Sequence, residues 1–320
     1  MRKSTVAFLF SILILSCTAE EKALASKNVA VTKNTTVAEI LADRDMKTFS
    51  RLLFPVDLPL DSSMTLSEIS SSSVYIWYSN IKAEKTVEIV SVLKKRAANG
   101  ESVFYPIYSE DERLRDKSKN DTGLFFFKGE ENTPFAICNA GGGFYYVGAM
   151  HDSFPVALEL SKKGCNAFAL IYRPEYAYAD LARAICFVID NAQTLGVERN
   201  GYSLWGGSAG ARMAATLGNA ETMRQLAKRT LPSASAVVMQ YTGYSSVSKS
   251  DAPTFAVCGT RDGIANWKTM KMRIERLNSI GIKSDFRAYE RLSHGFGLGT
   301  GTVAEGWIDE AFAFWMRQIH

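Results

Sequence analysis

The sequence has few of the features that mark metal, nucleotide or nucleic-acid binding. Its net charge is +4, yet it has no long basic run, so nothing indicates a nucleic-acid partner. It contains no H-E-x-x-H motif and no zinc-ligand spacing, and histidine occurs only three times in 320 residues. No cofactor fingerprint is present either. We therefore expect a protein that needs no metal and no cofactor.

Cysteine is also scarce, and its spacing is uninformative for metal or redox chemistry. Beyond Cys17 there are four cysteines, and no two of them stand at C-x-x-C spacing. Three lie in apolar runs, namely Cys138, Cys186 and Cys258. We expect such cysteines to be small buried hydrophobic residues, with no disulfide indicated.

Long hydrophobic runs are absent except at the extreme N-terminus. Arg2 and Lys3 precede an apolar stretch, residues 6–15, that is too short to span a bilayer. The stretch ends at Ser16-Cys17 and resembles a bacterial lipoprotein signal, which predicts an exported chain anchored to the cell envelope by lipid at Cys17. The alternative is signal-peptidase cleavage after Ala25, which would leave a periplasmic or secreted soluble protein.

The remaining composition is that of an ordinary globular protein. Hydrophobic residues make up 47% and charged residues 22% of the chain, which excludes disorder, collagen and coiled coil for most of it. After the signal (1–17) we expect a tether (18–38), a mainly helical N-terminal extension that is a possible cap (39–120), and a catalytic domain (121–320). Within the extension, residues 83–99 predict a helix and the Ser-rich stretch 62–73 a loop.

From residue 121 onward, apolar runs alternate with helical patterns. The runs suited to buried strands are residues 123–127, 134–139, 167–172, 202–205, 236–241, 254–258 and 285–290. This alternation predicts an α/β fold with a mostly parallel central sheet and helices on both faces. Sites in such sheets form at the carboxyl ends of the strands.

One of these strand ends carries a nucleophile motif. Residues 206–210 read Gly-Gly-Ser-Ala-Gly, directly after the run 202–205 and before a helical pattern. A G-x-S-x-G pattern between strand and helix is typical of a nucleophile elbow, with Ser208 as nucleophile. Small residues flank the serine because the turn is tight.

A second strand end carries a glycine-rich loop. Gly141, Gly142 and Gly143 follow the run 134–139, and neither a phosphate-loop nor a dinucleotide-binding pattern fits them. Such a loop suits backbone N–H groups that approach a ligand oxygen. We expect an oxyanion hole formed by Gly142 or Gly143 together with Ala209, the residue after the nucleophile.

Two further strand ends supply an acid and a base. Asp262 follows the run 254–258 and His294 follows the run 285–290. The order Ser…Asp…His along the chain completes a catalytic triad with Ser208.

With these motifs, residues from about 121 to 319 resemble the α/β-hydrolase superfamily. The closest resemblance is to its acetyl-xylan-esterase and hormone-sensitive-lipase-like serine esterases (BD-FAE-like). The chain departs from these relatives in having Asn139-Ala140 where they usually have His or Pro before the glycines. It also has His151-Asp152 where they often have His-Glu. Because both departures lie near the oxyanion loop, we expect them to affect specificity more than catalysis.

The resemblance implies a serine carboxylic-ester hydrolase that forms an acyl-enzyme on small acyl esters and deacetylates carbohydrate esters. Phe144, Tyr145 and His151 are candidate pocket residues, although packing is the favoured role of His151. Trp77 and Tyr78 of the extension are further candidates, since no lid fits between Ser208 and Asp262. The alternatives are a prolyl-oligopeptidase-like peptidase and a catalytically silent, membrane-tethered binding protein on the same fold.

Overall fold

The structure is a computed structural model that describes residues 30–319. Its centre is an eight-stranded sheet in the order β1-β2-β4-β3-β5-β6-β7-β8. The strands are β1 (Phe104–Tyr105), β2 (Gly123–Phe127), β3 (Phe135–Asn139), β4 (Asn166–Ile171), β5 (Ser203–Gly207), β6 (Ala236–Gln240), β7 (Thr254–Gly259) and β8 (Ser284–Tyr289). From β4 to β8 all neighbours are parallel, whereas β1 pairs with β2, and β2 with β4, in antiparallel fashion. The mostly parallel sheet predicted from the sequence is therefore confirmed.

Helices of the described residues connect and flank these strands. In chain order they are α1 (Val37–Ala42), α2 (Leu66–Ser71), α3 (Ala83–Ala98), α4 (Glu110–Arg115), α5 (Ser153–Lys162), α6 (Ala177–Asp190), α7 (Ala192–Leu195), α8 (Ala209–Leu217), α9 (Ala220–Ala227), α10 (Trp267–Ser279) and α11 (Trp307–Ile319). In the described part of the chain, none of them is both long and apolar enough to cross a bilayer.

The core lies on both faces of the central strands. Every residue of β2 to β7 is buried, as expected of strands covered by helices on both sides. The edge strand β8 is only partly buried. Consequently the inner strands are continuous apolar runs, and this explains why the sequence places them to within two residues.

The Ser-rich stretch 62–73 is not the loop that its composition predicts. Thr65 caps α2, accepting from the Glu68 N–H while the Glu68 carboxylate accepts from the Thr65 N–H. Leu66 and Ile69 are fully buried. Since a capping box and two buried residues suffice for a short helix, residues 66–71 are helical, with Ser67 and Ser71 exposed and Ser70 half-buried, and only the flanking serines lie outside the helix.

The described residues continue across the boundaries expected at residues 38 and 120. Helix α1 begins at Val37, which is buried, so ordered structure starts inside the predicted tether. Strand β1 of the extension pairs with β2, and the Phe49 ring contacts that of Phe125 at 5.6 Å. From Thr32 onward the chain forms one compact unit, because the extension shares the apolar core of the sheet.

Some sequence predictions lie outside the described residues. These are the signal with lipidation at Cys17, most of the tether (18–38), and the terminal His320. Among the residues described, the four cysteines are free, and Cys138, Cys165 and Cys258 are buried.

A buried ion pair fastens the extension to the end of β4. Arg173 donates from Nη2 to Asp180 Oδ1 at 2.7 Å, and Asp180 is wholly buried in α6. Asp180 also accepts from the hydroxyl of Tyr108, while Arg173 Nη1 donates to Ser118 at 2.9 Å. Because Tyr108 and Ser118 belong to the extension, this network joins it to the sheet.

The network predicts a large stability loss when its carboxylate is removed. Asp180→Asn should lower the free energy of unfolding by about 3 kcal/mol, because Arg173 keeps its charge but loses its buried carboxylate partner. Chemical denaturation measures this loss. The matched control is Asp190→Asn at the exposed end of the same helix, for which we expect less than about 1 kcal/mol. Equal losses in the two variants would contradict the assigned role.

Candidate active site

The turn between β5 and α8 holds Ser208 in a strained backbone conformation. Its φ is +52° and its ψ is −114°, a region that costs a non-glycine residue about 1–3 kcal/mol. The turn must also pass very close to β3, because a Cβ on Gly210 would lie 2.0 Å from the carbonyl oxygen of Asn139. The sequence folds this way because glycine stands where the backbones cross, and the turn then projects the serine hydroxyl from the sheet.

The three predicted triad residues come together at the carboxyl ends of β5, β7 and β8. His294 Nε2 lies 3.1 Å from Ser208 Oγ, and His294 Nδ1 lies 2.8 Å from Asp262 Oδ2. The His294 side chain is 8% exposed and that of Asp262 is buried. Both distances fall within hydrogen-bond reach, so the serine, the imidazole and the carboxylate form one continuous chain.

The loop after β7 keeps Asp262 ionised. Its Oδ1 accepts hydrogen bonds from the N–H groups of Ile264 and Ala265 at 2.8 and 2.7 Å. Burial acts to raise the pKa of this carboxyl, but the hydrogen bond from His294 and those of the two amides outweigh burial and lower the pKa. The charged carboxylate can therefore orient the imidazole and stabilise its protonated form.

The glycine-rich loop faces the serine with unused donors. The N–H groups of Gly142, Gly143 and Ala209 have no hydrogen-bond acceptor among the described residues. Gly142 has a φ of +122°, and a Cβ there would lie 2.0 Å from the carbonyl oxygen of Tyr146, so only glycine fits. A Cβ on the preceding Gly141 would lie 3.0 Å from Ser208 Cβ, so the loop passes beside this serine and its N–H groups are candidates for an oxyanion hole.

The three candidate pocket residues have different surroundings. Phe144 is partly buried and packs against Tyr172 and Tyr178, whereas Tyr145 is 77% exposed. His151 is only 7% exposed and its ring lies 4.1 Å from that of Tyr75. Burial lowers its pKa to about 3. His151 is therefore neutral, and the ring of Tyr75 packs against one side of it.

A second carboxylate, which the sequence analysis noted only as a departure from relatives, lies beneath the site. Asp152 is 1% exposed, and its Oδ2 accepts from the Gly141 N–H at 2.7 Å. The hydroxyls of Tyr78 and Tyr241 donate to it at 3.2 and 3.1 Å. Burial raises the pKa of Asp152 to about 6, against the opposing effect of these hydrogen bonds. Nothing in the sequence indicates that Asp152 lies beneath the site, because the two tyrosines that donate to it come from distant segments of the chain.

The N-terminal extension also reaches the site. Ring atoms of Trp77 lie 3.0 Å from the position that a Cβ on Gly143 would take. A Cβ on Gly295, the residue after His294, would lie 2.0 Å from the Trp77 carbonyl oxygen, and the Ser79 N–H donates to the Gly295 carbonyl at 3.0 Å. Residues 77–79 thus contact both the oxyanion loop and the histidine loop.

The sheet and its connections define an α/β-hydrolase fold, in which Ser208, His294 and Asp262 lie within hydrogen-bond reach of one another. Residues 127–241 match the BD-FAE family model, a segment that contains the glycine-rich loop and Ser208 but ends before Asp262 and His294. The sequence resemblance to BD-FAE-like α/β hydrolases is therefore confirmed over this segment. A comparison with curated proteins finds no match.

Solved structures show the same fold at low sequence identity. An acetyl ester-xyloside bifunctional hydrolase from Caldicellulosiruptor lactoaceticus superposes with a TM-score of 0.57 at 18% identity, over 67% of this chain and 95% of that one. Propionate-bound esterase 2 from Thermogutta terrifontis gives 0.56 at 18% identity, over 67% and 93%. MGS-M1, an α/β hydrolase from a Medee basin deep-sea metagenome library, gives 0.51 at 21% identity, over 62% and 93%.

The raised pKa of Asp152 predicts a specific pH dependence of stability. The Asp152 carboxyl keeps its proton up to about pH 6 in the folded state, but only up to about pH 4 in the unfolded chain. The proton's contribution to stability is therefore present below pH 4 and is lost as the pH rises through 6. In Asp152→Asn this loss is absent, so its free energy of unfolding relative to the parent should rise by about 3 kcal/mol between pH 4 and 7.

Urea denaturation of both proteins across this pH range measures the difference, and pH-independent effects of the substitution cancel in it. Asp190→Asn, at an exposed carboxylate, is the control and should show little change. A difference between Asp152→Asn and the parent that stays flat from pH 4 to 7 would contradict the assignment.

Proposed function

We propose that this chain is a serine carboxylic-ester hydrolase that works through an acyl-enzyme on small acyl esters of carbohydrates. The single observation that carries the proposal is the hydrogen-bonded chain from Ser208 through His294 to Asp262, set beside the unused N–H donors of the glycine-rich loop. An intact chain of this kind argues against a catalytically silent binding protein.

In the first half of the reaction, Ser208 Oγ attacks the ester carbonyl carbon while its proton moves to His294 Nε2. The carbonyl oxygen becomes an oxyanion that accepts hydrogen bonds from Ala209 and from Gly142 or Gly143. Asp262 holds the imidazole by Nδ1 throughout. His294 then gives the proton to the departing alcohol, and the acyl group remains on Ser208.

The second half repeats these steps with water as the nucleophile. His294 takes a proton from the water, whose oxygen attacks the acyl carbon. The same N–H groups then donate hydrogen bonds to the second oxyanion. The proton then returns to Ser208 Oγ as the carboxylic acid leaves. Losing one oxyanion donor typically costs about 10²–10³ in rate, which is the scale of the loop's contribution.

The surroundings of the serine support a small acyl group and a ring-bearing alcohol. An apolar groove of about 540 Å³ beside the oxyanion loop is lined by Trp77, Tyr145, Tyr146 and the exposed Ile76, among others. Flat aromatic faces at an open groove suit the apolar face of a sugar ring. Of the similar solved structures, one is named as an acetyl ester-xyloside bifunctional hydrolase and another as a propionate-bound esterase, and both names are consistent with a small acyl group.

Ester hydrolysis tests the proposal directly. The chain should hydrolyse nitrophenyl acetate faster than the butyrate and octanoate esters, and Ser208→Ala should lower kcat by roughly 10⁴-fold or more. Ser279→Ala, an exposed serine on α10, is the matched control and should keep full activity. Labelling of Ser208 by a fluorophosphonate without ester turnover would favour the peptidase alternative, to be checked with a peptide panel. Neither labelling nor turnover would favour a binding protein.

The aromatic groove predicts a separable effect on carbohydrate substrates. Tyr145→Ala should raise KM for acetylated xylo-oligosaccharides by roughly tenfold, equivalent to about 1.4 kcal/mol, because it removes a stacking surface. KM for ethyl acetate, which has no ring, should stay the same. Equal changes for both substrates would show that Tyr145 shapes the acyl site instead.

Export and a lipid anchor at Cys17 complete the proposal and rest on the sequence of residues 1–17 alone. The full chain should fractionate with membranes in a bacterial host. Cys17→Ser should abolish lipid labelling and release the chain from the membrane fraction, whereas a chain found in the cytosol with its N-terminus intact would exclude export.

A further inference from the structure

Asp152 differs from the buried carboxylates of Asp180, Asp251 and Asp262, because no lysine, arginine or histidine forms an ion pair with it. Asp180 and Asp251 are each paired with an arginine. Asp152 instead accepts only from one backbone N–H and two tyrosine hydroxyls. A buried carboxylate without a counterion is costly, so its place in this fold calls for a function beyond stability.

Its position is directly behind the catalytic turn. A Cβ on Gly207 would lie 2.5 Å from Asp152 Oδ2, and a Cβ on Gly141 would lie 3.2 Å from the same oxygen and 3.0 Å from Ser208 Cβ. The carboxylate therefore lies where the nucleophile turn and the start of the oxyanion loop meet. The ring of Tyr241, one of its donors, lies 4.8 Å from the His294 ring and is tilted by 58° to it.

The bond from Gly141 determines which N–H groups are left for the oxyanion. Because the Gly141 N–H donates to Asp152, it is not free to bind a substrate oxygen. The N–H groups of Gly142 and Gly143, which follow it, have no acceptor among the described residues. The loop is closed on its other side by the Gly142 carbonyl, which accepts from the N–H of Tyr145 at 2.8 Å. One side-chain contact and one turn thus fix the direction of the peptides between them.

We infer that Asp152 is a positioning residue of the oxyanion hole, which holds the glycine-rich loop through the Gly141 N–H and is itself held by Tyr78 and Tyr241. It touches neither the ester nor Ser208 Oγ. The Tyr78 hydroxyl comes from the N-terminal extension, so the extension takes part in setting the geometry of the hole. This inference rests on the proposed function only in so far as the oxyanion hole is used for ester hydrolysis.

Replacement of Asp152 by alanine gives the main test. Asp152→Ala should lower kcat by roughly 100-fold with little change in KM. The reason is that a displaced N–H group of the glycine-rich loop weakens binding of the transition-state oxyanion more than binding of the substrate. The rate of Ser208 labelling by a fluorophosphonate should fall in parallel, since its phosphoryl oxygen uses the same donors. Asp152→Asn, whose amide oxygen can still accept from Gly141, should keep most of the labelling rate.

Two controls separate positioning from loss of stability. Asp251→Asn removes a carboxylate that is buried beside Arg273 and Asn219, outside both the glycine-rich loop and the N-terminal extension, and once folded it should retain the parent kcat. Tyr241→Phe and Tyr78→Phe each remove one donor to Asp152 while keeping the ring, and each should lower kcat less than Asp152→Ala. Equal kcat losses in Asp152→Ala and Asp251→Asn would overturn the inference.

A measurement independent of activity distinguishes failure of this inference from failure of the proposed function. Hydrogen exchange of the Gly141 amide should be slow in the parent and faster in Asp152→Ala, with the β3 amides unchanged. If the parent shows no ester turnover but exchange and labelling respond as stated, the inference stands and the proposed substrate is wrong. If Gly141 exchange is unchanged in Asp152→Ala, or accelerates without any loss of labelling rate, the inference is overturned.

Discussion

The close packing of the turn at Ser208 against the end of β3 is the constraint on which the site depends. With Gly210 almost touching the Asn139 carbonyl, the strand that leads into the oxyanion loop and the turn that presents the nucleophile cannot move independently. The serine keeps a backbone conformation that costs about 1–3 kcal/mol because this contact and the hydrogen bond from its N–H to the Gln240 carbonyl hold it there. The histidine and the aspartate then need only short loops from neighbouring parallel strands to reach it.

Around this fixed centre, the N-terminal extension acts as part of the catalytic structure rather than as a separate module. Strand β1 lengthens the sheet, the Arg173–Asp180 network fastens the extension to β4, and residues 77–79 contact two catalytic loops. The family match begins at residue 127, so these contacts come from sequence outside it. We infer that substrate preference is determined largely by this part of the chain, since it supplies one wall of the aromatic groove.

The sheet, the elbow and the triad could be predicted from the sequence because the signal for each part consists of residues that are close together along the chain. Buried parallel strands are continuous apolar runs, and the elbow at Ser208 needs glycine at fixed offsets. Asp262 and His294 follow their strands directly. Helix α2 also has a local signal, the capping box between Thr65 and Glu68, whereas the shared core of the extension and the role of Asp152 could not be predicted in this way. Both depend on contacts between distant segments, such as the hydrogen bond from Tyr78 to Asp152. The residues next to Tyr78 or Asp152 in the sequence do not indicate such a contact.

The hydrogen bond between Ser79 and Gly295 has a consequence for when the chain becomes active during its synthesis. A ribosome releases residue 79 long before residue 295, and contacts between such distant segments form late in folding. The nascent chain therefore carries Ser208 without an assembled histidine loop until the segment around Gly295 has been synthesised. Ser208, His294 and Asp262 can come together only after residues 77–79 and the histidine loop have met, so the unfolded chain has no assembled site.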